Sequence, residues 1–365
     1  MKIAIIGTRG IPNQYGGFEQ FAEQFSVRMA ERGHDVSVYC SHRHPFKSDV
    51  FKGVTLIHCF DPEFIFGTFG QFIYDFNCIL DSRKQNFDII FQLGYTSSTI
   101  WSWLYPSSAI LATNMDGLEW KRTKYNPITR RFLRSAEKWA IKYSDFLVAD
   151  SLGIQEYLGN KFNASSFFIP YGADNFIPES DDVQMLDKYS LRPYNYDLLI
   201  ARFEPENNIE IALKAYRNYK NRKLVLIGNY SATRFGKKMC EEYQKYPNII
   251  FLGAVFESHT LNILRYYSLL YIHGHSVGGT NPSLLEAMAC SALICANDNV
   301  FNKAVLGSDA FYFDSDKDLR SLIDLDPSKK DYGTFISNNK QKIGNEYNWN
   351  IITDKTEELF KQWQQ

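Results

Sequence analysis

The stretch His273-Gly-His-Ser-Val-Gly-Gly-Thr-Asn-Pro-Ser-Leu-Leu-Glu-Ala-Met-Ala289 decides how the rest of the chain is read. It follows a short apolar run, Ser268-Leu-Leu-Tyr-Ile272, of the length of a buried strand. It passes into an apolar-periodic segment from Ser283 to Cys290 that predicts a helix. The order is strand, glycine loop, helix. Asn281 suits the N-cap and Pro282 the first turn, where its missing N–H costs nothing. Gly278 and Gly279 put no side chain in the way, so the amides of this turn, on through Thr280 and Asn281, offer an anion a seat at a helix N-terminus. Glu286, one turn further in, is placed to take ribose hydroxyls while the amides hold phosphate. A tight strand-to-helix turn with Glu286 as a solvated helix residue is the plainer alternative.

Outward from this stretch the same grammar repeats. Upstream, Tyr196–Ala201, Lys223–Ile227 and Ile249–Leu252 read as strands, and Ala292–Cys295 follows downstream, with helices between them. The loop Arg202-Phe-Glu-Pro-Glu-Asn-Asn208 leaves the first of these strands with one cation. The polar stretch 175–193, with Pro178, Asp181, Asp182 and Pro193, predicts a linker. Before it lie the strands Lys2–Gly7, Val36–Cys40, Val54–His58, Asp88–Leu93, Ala109–Thr113, Phe146–Ala149 and Phe167–Ile169. After the first strand, the loop Thr8-Arg-Gly-Ile-Pro-Asn-Gln-Tyr-Gly-Gly17 opens a helix over about Phe18–Arg32, which Gly33 ends. It is neither a P-loop nor GxGxxG, yet Gly16 and Gly17 still present amides to a diphosphate. Strands alternating with helices imply parallel sheets covered on both faces. The expectation is an α/β chain of two Rossmann-like domains, 1–175 and 190–345. The amphipathic helix within 346–365 would cross back to the first domain, and the site would lie at strand C-termini in the cleft between the domains.

Composition narrows the functional classes. At 365 residues two domains are expected, and a net charge of −1 argues against generic nucleic-acid binding. The 23 Tyr and 28 Phe suit surfaces that meet sugars, bases or a membrane edge, although thick cores also use them. Six cysteines lack CxxC or metal-ligand spacing and read as reduced cytosolic thiols. No apolar run approaches the roughly 18 residues of a membrane span, and the start is too short for a signal segment. A cytoplasmic protein with no metal and no cofactor is expected.

Three segments of the first half carry further signals. Phe60 to Leu80 is rich in Phe, Ile and Tyr, broken by Gly67 and Gly70, and looks like an excursion packed against something outside the sheet. Asn114-Met-Asp-Gly-Leu-Glu-Trp-Lys-Arg122 follows a strand, and an acid beside glycine at a strand C-terminus sits where α/β sheets place chemistry. Asp116 and Glu119 are singled out there, against the alternative of a helix cap and a surface acid. Lys121 to Lys142 holds eight basic residues against the single acid Glu137, with Phe132, Leu133, Ala136, Trp139 and Ala140 on one helical face. A basic amphipathic helix with aromatics suits an anionic membrane surface. The alternative is a solvated helix packed on its own domain.

Together these residues resemble the retaining GT-B glycosyltransferases, the large family that includes sucrose synthases and bacterial mannosyltransferases. The likeness spans nearly the whole chain: the Gly16-Gly17 loop, Ile169-Pro-Tyr-Gly-Ala-Asp174, the Arg202 loop and the terminal helix. Arg202-Phe-Glu-Pro-Glu-Asn-Asn208, His273-Gly-His and Gly278-Gly-Thr-Asn-Pro-Ser-Leu-Leu-Glu286 resemble, more narrowly, bacterial rhamnosyltransferases of capsule and cell-wall polysaccharides. That resemblance implies a dTDP-L-rhamnose donor and a lipid-linked saccharide acceptor, such as glucose on undecaprenyl diphosphate. It also implies retention of configuration and a peripheral place on the inner face of the cell membrane. The chain departs from the wider family where Gly278 replaces the first of two glutamates, where Asn207 replaces a loop lysine, and where Asp116 takes a position that often holds His.

The implied division of labour follows. Arg202, Asn207, Gly16, Gly17, Gly278, Gly279, Thr280, Asn281 and Glu286 bind the donor, and Glu119 and Arg122 bind the acceptor. Arg202 meets the charge on the leaving diphosphate. Asp116 either contacts the donor ring or helps to deprotonate the acceptor hydroxyl. A UDP- or GDP-sugar donor, a sugar-nucleotide epimerase or phosphorylase, and a regulator that binds sugar nucleotides without turnover are the competing readings.

Overall fold

The structure is a computed structural model that describes residues 1–14, 16–121 and 125–365. The chain forms two compact units, one of Met1–Tyr171 with Trp349–Gln365 and the other of Gly172–Asn348. The first unit opens with β1 (Lys2–Ile6), α1 (Gly17–Glu31), β2 (Asp35–Ser41), β3 (Val50–Phe51) and β4 (Val54–Cys59). Next come α2 (Glu63–Phe66), α3 (Gly70–Ser82), β5 (Ile89–Leu93) and β6 (Ile110–Asn114). It continues through α4 (Pro127–Tyr143), β7 (Phe146–Ala149), α5 (Leu152–Phe162) and β8 (Phe167–Phe168). The sheet order is β3-β4-β2-β1-β5-β6-β7-β8, parallel except for the short β3–β4 pair. Ile3, Ala4, Ile5 and Ile6 of β1 are wholly buried, as a central strand covered on both faces requires. From β1 the chain moves outward to β2 and β4, then returns to place β5 on the other side of β1. The crevice for a ligand in such a sheet lies at that reversal, past the C-terminal ends of β1 and β5.

The second unit repeats the plan. Its elements are β9 (Asp197–Ile200), α6 (Ile209–Tyr216), β10 (Leu224–Ile227), α7 (Arg234–Tyr243) and β11 (Ile249–Gly253). Then come α8 (Ser258–Tyr266), β12 (Tyr271–His273), α9 (Pro282–Ala289), β13 (Ile294–Asn297) and α10 (Val300–Leu306). The unit closes with β14 (Phe311–Phe313), α11 (Asp316–Leu325) and α12 (Gly333–Lys342). All pairs in the order β11-β10-β9-β12-β13-β14 are parallel. The reversal falls between β9 and β12, the two strands that lead into the Arg202 loop and the glycine loop.

The chain ends in α13 (Trp349–Trp363), which lies on the first unit. Trp349 meets Phe21 edge-on at 5.7 Å, Phe360 meets Phe25 and Phe91, and Trp363 stacks on Phe146 at 4.3 Å. Much of the aromatic content is therefore core: Tyr39, Tyr74, Tyr196, Tyr216, Phe21 and Phe91 are all under 2% exposed.

The structure differs from the sequence reading in three places. The stretch 175–193 is no free linker: Phe176 N–H donates to Ala289 at 3.0 Å, Asp182 meets His259 at 2.7 Å, and Leu186 and Leu191 are buried. Those two leucines give it an apolar side to pack. The basic helix does not run from Lys121; α4 starts at Pro127 with Asn126 as N-cap, accepting the Thr129 N–H at 2.8 Å. The strand before the glycine loop reaches His273, which is buried, so the loop proper begins at Gly274. Among the described residues no helix is long and apolar enough to cross a membrane.

Candidate active site

In the second unit, the loops after β9 and β12 are locked together. Gly274 sits so close to the Arg202 loop that a Cβ there would lie 2.1 Å from the Asn207 carbonyl oxygen, so only glycine fits. Asn208, in the left-handed region at φ 50°, donates from Nδ2 to the Gly274 carbonyl at 2.9 Å. Ser276 donates from N–H and from Oγ to the Glu206 carbonyl at 3.1 and 2.8 Å. Asn299 and Asn302, at the start of α10, donate to the His275 carbonyl at 3.0 and 3.1 Å. The result is a braced rim rather than a slack loop.

On that rim Arg202 is exposed, and its guanidinium makes no hydrogen bond or ion pair among the described residues. Asn207, by contrast, is buried and donates from Nδ2 to the Arg202 carbonyl at 2.7 Å. It shapes the Arg202 loop, whereas the lysine it replaces in the resembled family would carry charge. Gly278 takes φ 117°, a conformation that suits glycine. Asn281 caps α9, accepting the Ser283 N–H on Oδ1 at 3.0 Å, while its carbonyl takes the Leu284 N–H at 3.0 Å. The helix's own first amides are thus satisfied. The N–H groups of Gly278, Gly279, Thr280 and Asn281, just before it, have no acceptor among the described residues. One cation and a run of amides, none with a partner among the described residues, thus lie on the two loops that meet at the β9/β12 reversal, the kind of groups that can take an anion.

Behind the seat, Glu286 on α9 is ion-paired through Oε2 with Arg265 of α8, which is 2% exposed. This pair fixes where the carboxylate stands. His273 is 1% exposed, stacks on His275 at 4.5 Å, and neither ring nitrogen has a partner among the described residues. Burial, with His275 beside it, pushes the imidazole well below its ordinary pKa, so it is neutral.

The corresponding loop of the first unit is built differently. Gly7 allows the same close approach, a Cβ there lying 2.1 Å from the Leu93 carbonyl oxygen. But Arg9 is ion-paired with Glu63 at 2.7 Å, and its N–H donates to Glu19 at 2.7 Å. Glu19 is 4% exposed beside Gly16, the N-cap of α1, whose first residue is Gly17. Burial raises the Glu19 carboxyl, while the N–H groups of Arg9, Glu19 and Gly16 and the Arg9 charge pull it down. The amide end expected to hold a diphosphate therefore faces an internal carboxylate. Nearby, Asp75 accepts from Ser97 Oγ at 2.5 Å, and burial raises it to about 6.

A second group of carboxylates gathers past β6 and β7. Asp116 takes φ 45°, and its N–H donates to Asn114 Oδ1 at 2.8 Å. Asn114 pairs in register with Val148, so Asp116, two residues past β6, and Asp150, just past β7, lie at the same end of neighbouring strands. Asp150 is 2% exposed with no partner for Oδ1 among the described residues. Burial first, then the Asp116 charge, push its carboxyl well above the ordinary carboxylate range. Glu119, expected on the surface or at the acceptor, is buried, with Tyr125 Oη at 3.5 Å. Tyr95, past β5, is buried, and its hydroxyl has no partner among the described residues. Arg122 lies outside the described residues. Asp150 and Tyr95 escaped the sequence reading; the signal for Asp150 was an acid at the end of the next strand, the pattern that drew attention to Asp116. No cluster of three or more His, Cys, Asp or Glu able to hold a metal occurs among the described residues.

The comparisons agree with this architecture. Residues 190–324 match the family model described as Glycosyl transferases group 1, and residues 1–174 match one described as Domain of unknown function (DUF1972). No curated protein matches the chain. Among solved structures, sucrose-phosphate synthase from Thermosynechococcus elongatus superposes with a TM-score of 0.81 at 17% identity, covering 99% of this chain and 98% of that one. HepE of Anabaena in complex with UDP-glucose gives 0.74 at 14%, covering 99% of both chains. A glycosyltransferase from Rickettsia africae gives 0.69 at 15%, covering 99% and 97%. The fold is that of the GT-B glycosyltransferases. The glycosyl transferases group 1 match lies within the second unit, and the likeness to these solved structures is one of fold.

Proposed function

We propose that the chain moves a sugar from a nucleotide donor to a lipid-linked saccharide in surface polysaccharide synthesis, with retention and without a metal. L-rhamnose from dTDP-L-rhamnose is the sugar the sequence resemblance favours, and glucose on undecaprenyl diphosphate the acceptor. The observation that carries the donor assignment is the anion seat of the second unit. As the anomeric C–O bond breaks, its electron pair stays on the leaving diphosphate, and Arg202 with the N–H groups of Gly278–Asn281 receives that charge in place. Glu286, held by Arg265, takes ribose hydroxyls. The first unit takes the acceptor, with Glu119 and Arg122 assigned to it and the enzyme seated on the inner membrane face through the basic segment 121–142. Asp116 works at the reacting end, either on hydroxyls of the donor ring or as the base for the acceptor hydroxyl. A UDP-sugar donor is the second reading, favoured by the UDP-glucose held by HepE.

The test is product analysis with EDTA present, offering dTDP-rhamnose, UDP-glucose and GDP-mannose with a lipid-linked glucose acceptor. Rhamnosylated product from the first alone is the expected result. Product from UDP-glucose instead keeps the transferase and replaces the sugar, whereas conversion of donor with no acceptor present contradicts transfer.

A further inference from the structure

The geometry points to a membrane-inserting tip at Phe64–Phe69, adjoining the basic face of α4, that docks the first unit on an anionic lipid bilayer. All six residues of Phe64-Ile65-Phe66-Gly67-Thr68-Phe69 are exposed, with the four large apolar side chains 55–65% accessible and Phe60 at 53% beside them. Single exposed apolar side chains are ordinary; a contiguous group of this size marks an interaction surface. The tip is pinned at its base: a Cβ on Gly70 would lie 2.4 Å from the Glu63 nitrogen, and the Ile65 N–H donates to Pro62 at 2.9 Å. The aromatic side chains are therefore held outward by a closed loop.

Charge chooses the occupant. The rings run without a break from Phe69 to Phe72, from Phe72 to Phe132 of α4 at 5.7 Å each, and on to Trp139. On α4, Arg131, Arg134, Lys138 and Lys142 are exposed, and Ile128 is 82% accessible. The helix's one acid, Glu137, is turned inward to Tyr157 and Lys161 at 3.0 and 3.4 Å. Arg43 lies 4.3 Å over the Phe64 ring. An apolar tip flanked by a cationic face with no exposed acid on α4 matches acyl chains beneath anionic headgroups. This rests on the proposal of a lipid-linked acceptor, which would bring such a surface to the enzyme.

Sedimentation of the whole protein with vesicles tests it, using equal parts phosphatidylglycerol and phosphatidylcholine against phosphatidylcholine alone. Wild type should pellet with the anionic vesicles. Phe64→Ser/Phe66→Ser/Phe69→Ser should lower partitioning by about tenfold at physiological salt, and Arg131→Glu/Arg134→Glu/Lys138→Glu by a similar factor at low salt only. Both sets lie on the surface, and unchanged melting temperatures confirm folding. Wild type left in the supernatant with every vesicle, or a tip variant that binds like wild type, overturns the proposal. So does a dimer seen by light scattering that the tip substitutions abolish, since a second copy would then be the occupant. Nucleoside diphosphate release with a soluble glucoside acceptor reads the transferase proposal separately, because the tip substitutions leave it unchanged whichever way the vesicles partition.

Discussion

The two reversal loops share a topology and differ in what fills them. Past β9 and β12, Arg202 stands without a counterion among the described residues, facing solvent with the unpaired amides of Gly278–Asn281 in the same rim. Past β1 and β5, the Arg9 guanidinium is paired with Glu63 while its backbone N–H donates to Glu19, and Asp75 adds a further buried acid. Both loops depend on a glycine whose Cβ would come within 2.1 Å of a neighbouring carbonyl oxygen. The fold therefore supplies two crevices, and side chains decide which one is left open to an anion. A diphosphate suits the second unit. Carboxylates that accept hydrogen bonds suit a hydroxyl-rich acceptor in the first.

The largest effect expected from this contrast is on the two arginines. Arg202→Ala should lower kcat/KM by about 100-fold, the worth of one charge-stabilising donor, with melting temperature unchanged. Arg9→Ala removes a partly exposed ion pair and should cost activity no more than about threefold. Equal losses would erase the distinction between the loops.

Next come the carboxylates of β6 and β7. Asp116→Asn should lower kcat by about tenfold or more if it is the base; a raised KM for donor with kcat unchanged assigns it to the sugar ring. Burial and the Asp116 charge favour the protonated form of Asp150, so Asp150→Asn should stay within about threefold of wild type near pH 7. A loss as large as that of Asp116→Asn would show that Asp150 works as an anion.

A smaller effect concerns stability. Asp75 is raised by burial from its ordinary 3.8 to about 6, so the native state binds its proton more tightly than the unfolded chain does. The contribution is full below about pH 4 and is lost as pH rises through 6. Asp75→Asn should therefore flatten the fall in melting temperature across that interval, while a slope identical to wild type would contradict a buried, proton-binding Asp75.

Much of the second unit's rim was legible from local chemistry. Asn281 and Pro282 announce a helix start in any context, and the βα rhythm with glycines at strand ends implies a parallel sheet. What stayed hidden depends on contacts between distant segments. Nothing local distinguishes Phe64, which is exposed, from Phe91, which lies under α1 and α13. Nothing local in the sequence marks Glu19 as the acceptor of the Arg9 N–H; only the fold brings the two together. Likewise, the polar run near Asp182 concealed two leucines that pack.

The central claim is that the second unit's rim holds the donor diphosphate through Arg202 and free amides. Thermal shift of wild type and Arg202→Ala with dTDP and dTDP-rhamnose, EDTA present, tests it most directly. A ligand at about 100 times its Kd stabilises by roughly 2.7 kcal/mol, a readily measured rise. The account predicts that rise for wild type and its loss in Arg202→Ala; an equal rise in both proteins would contradict it.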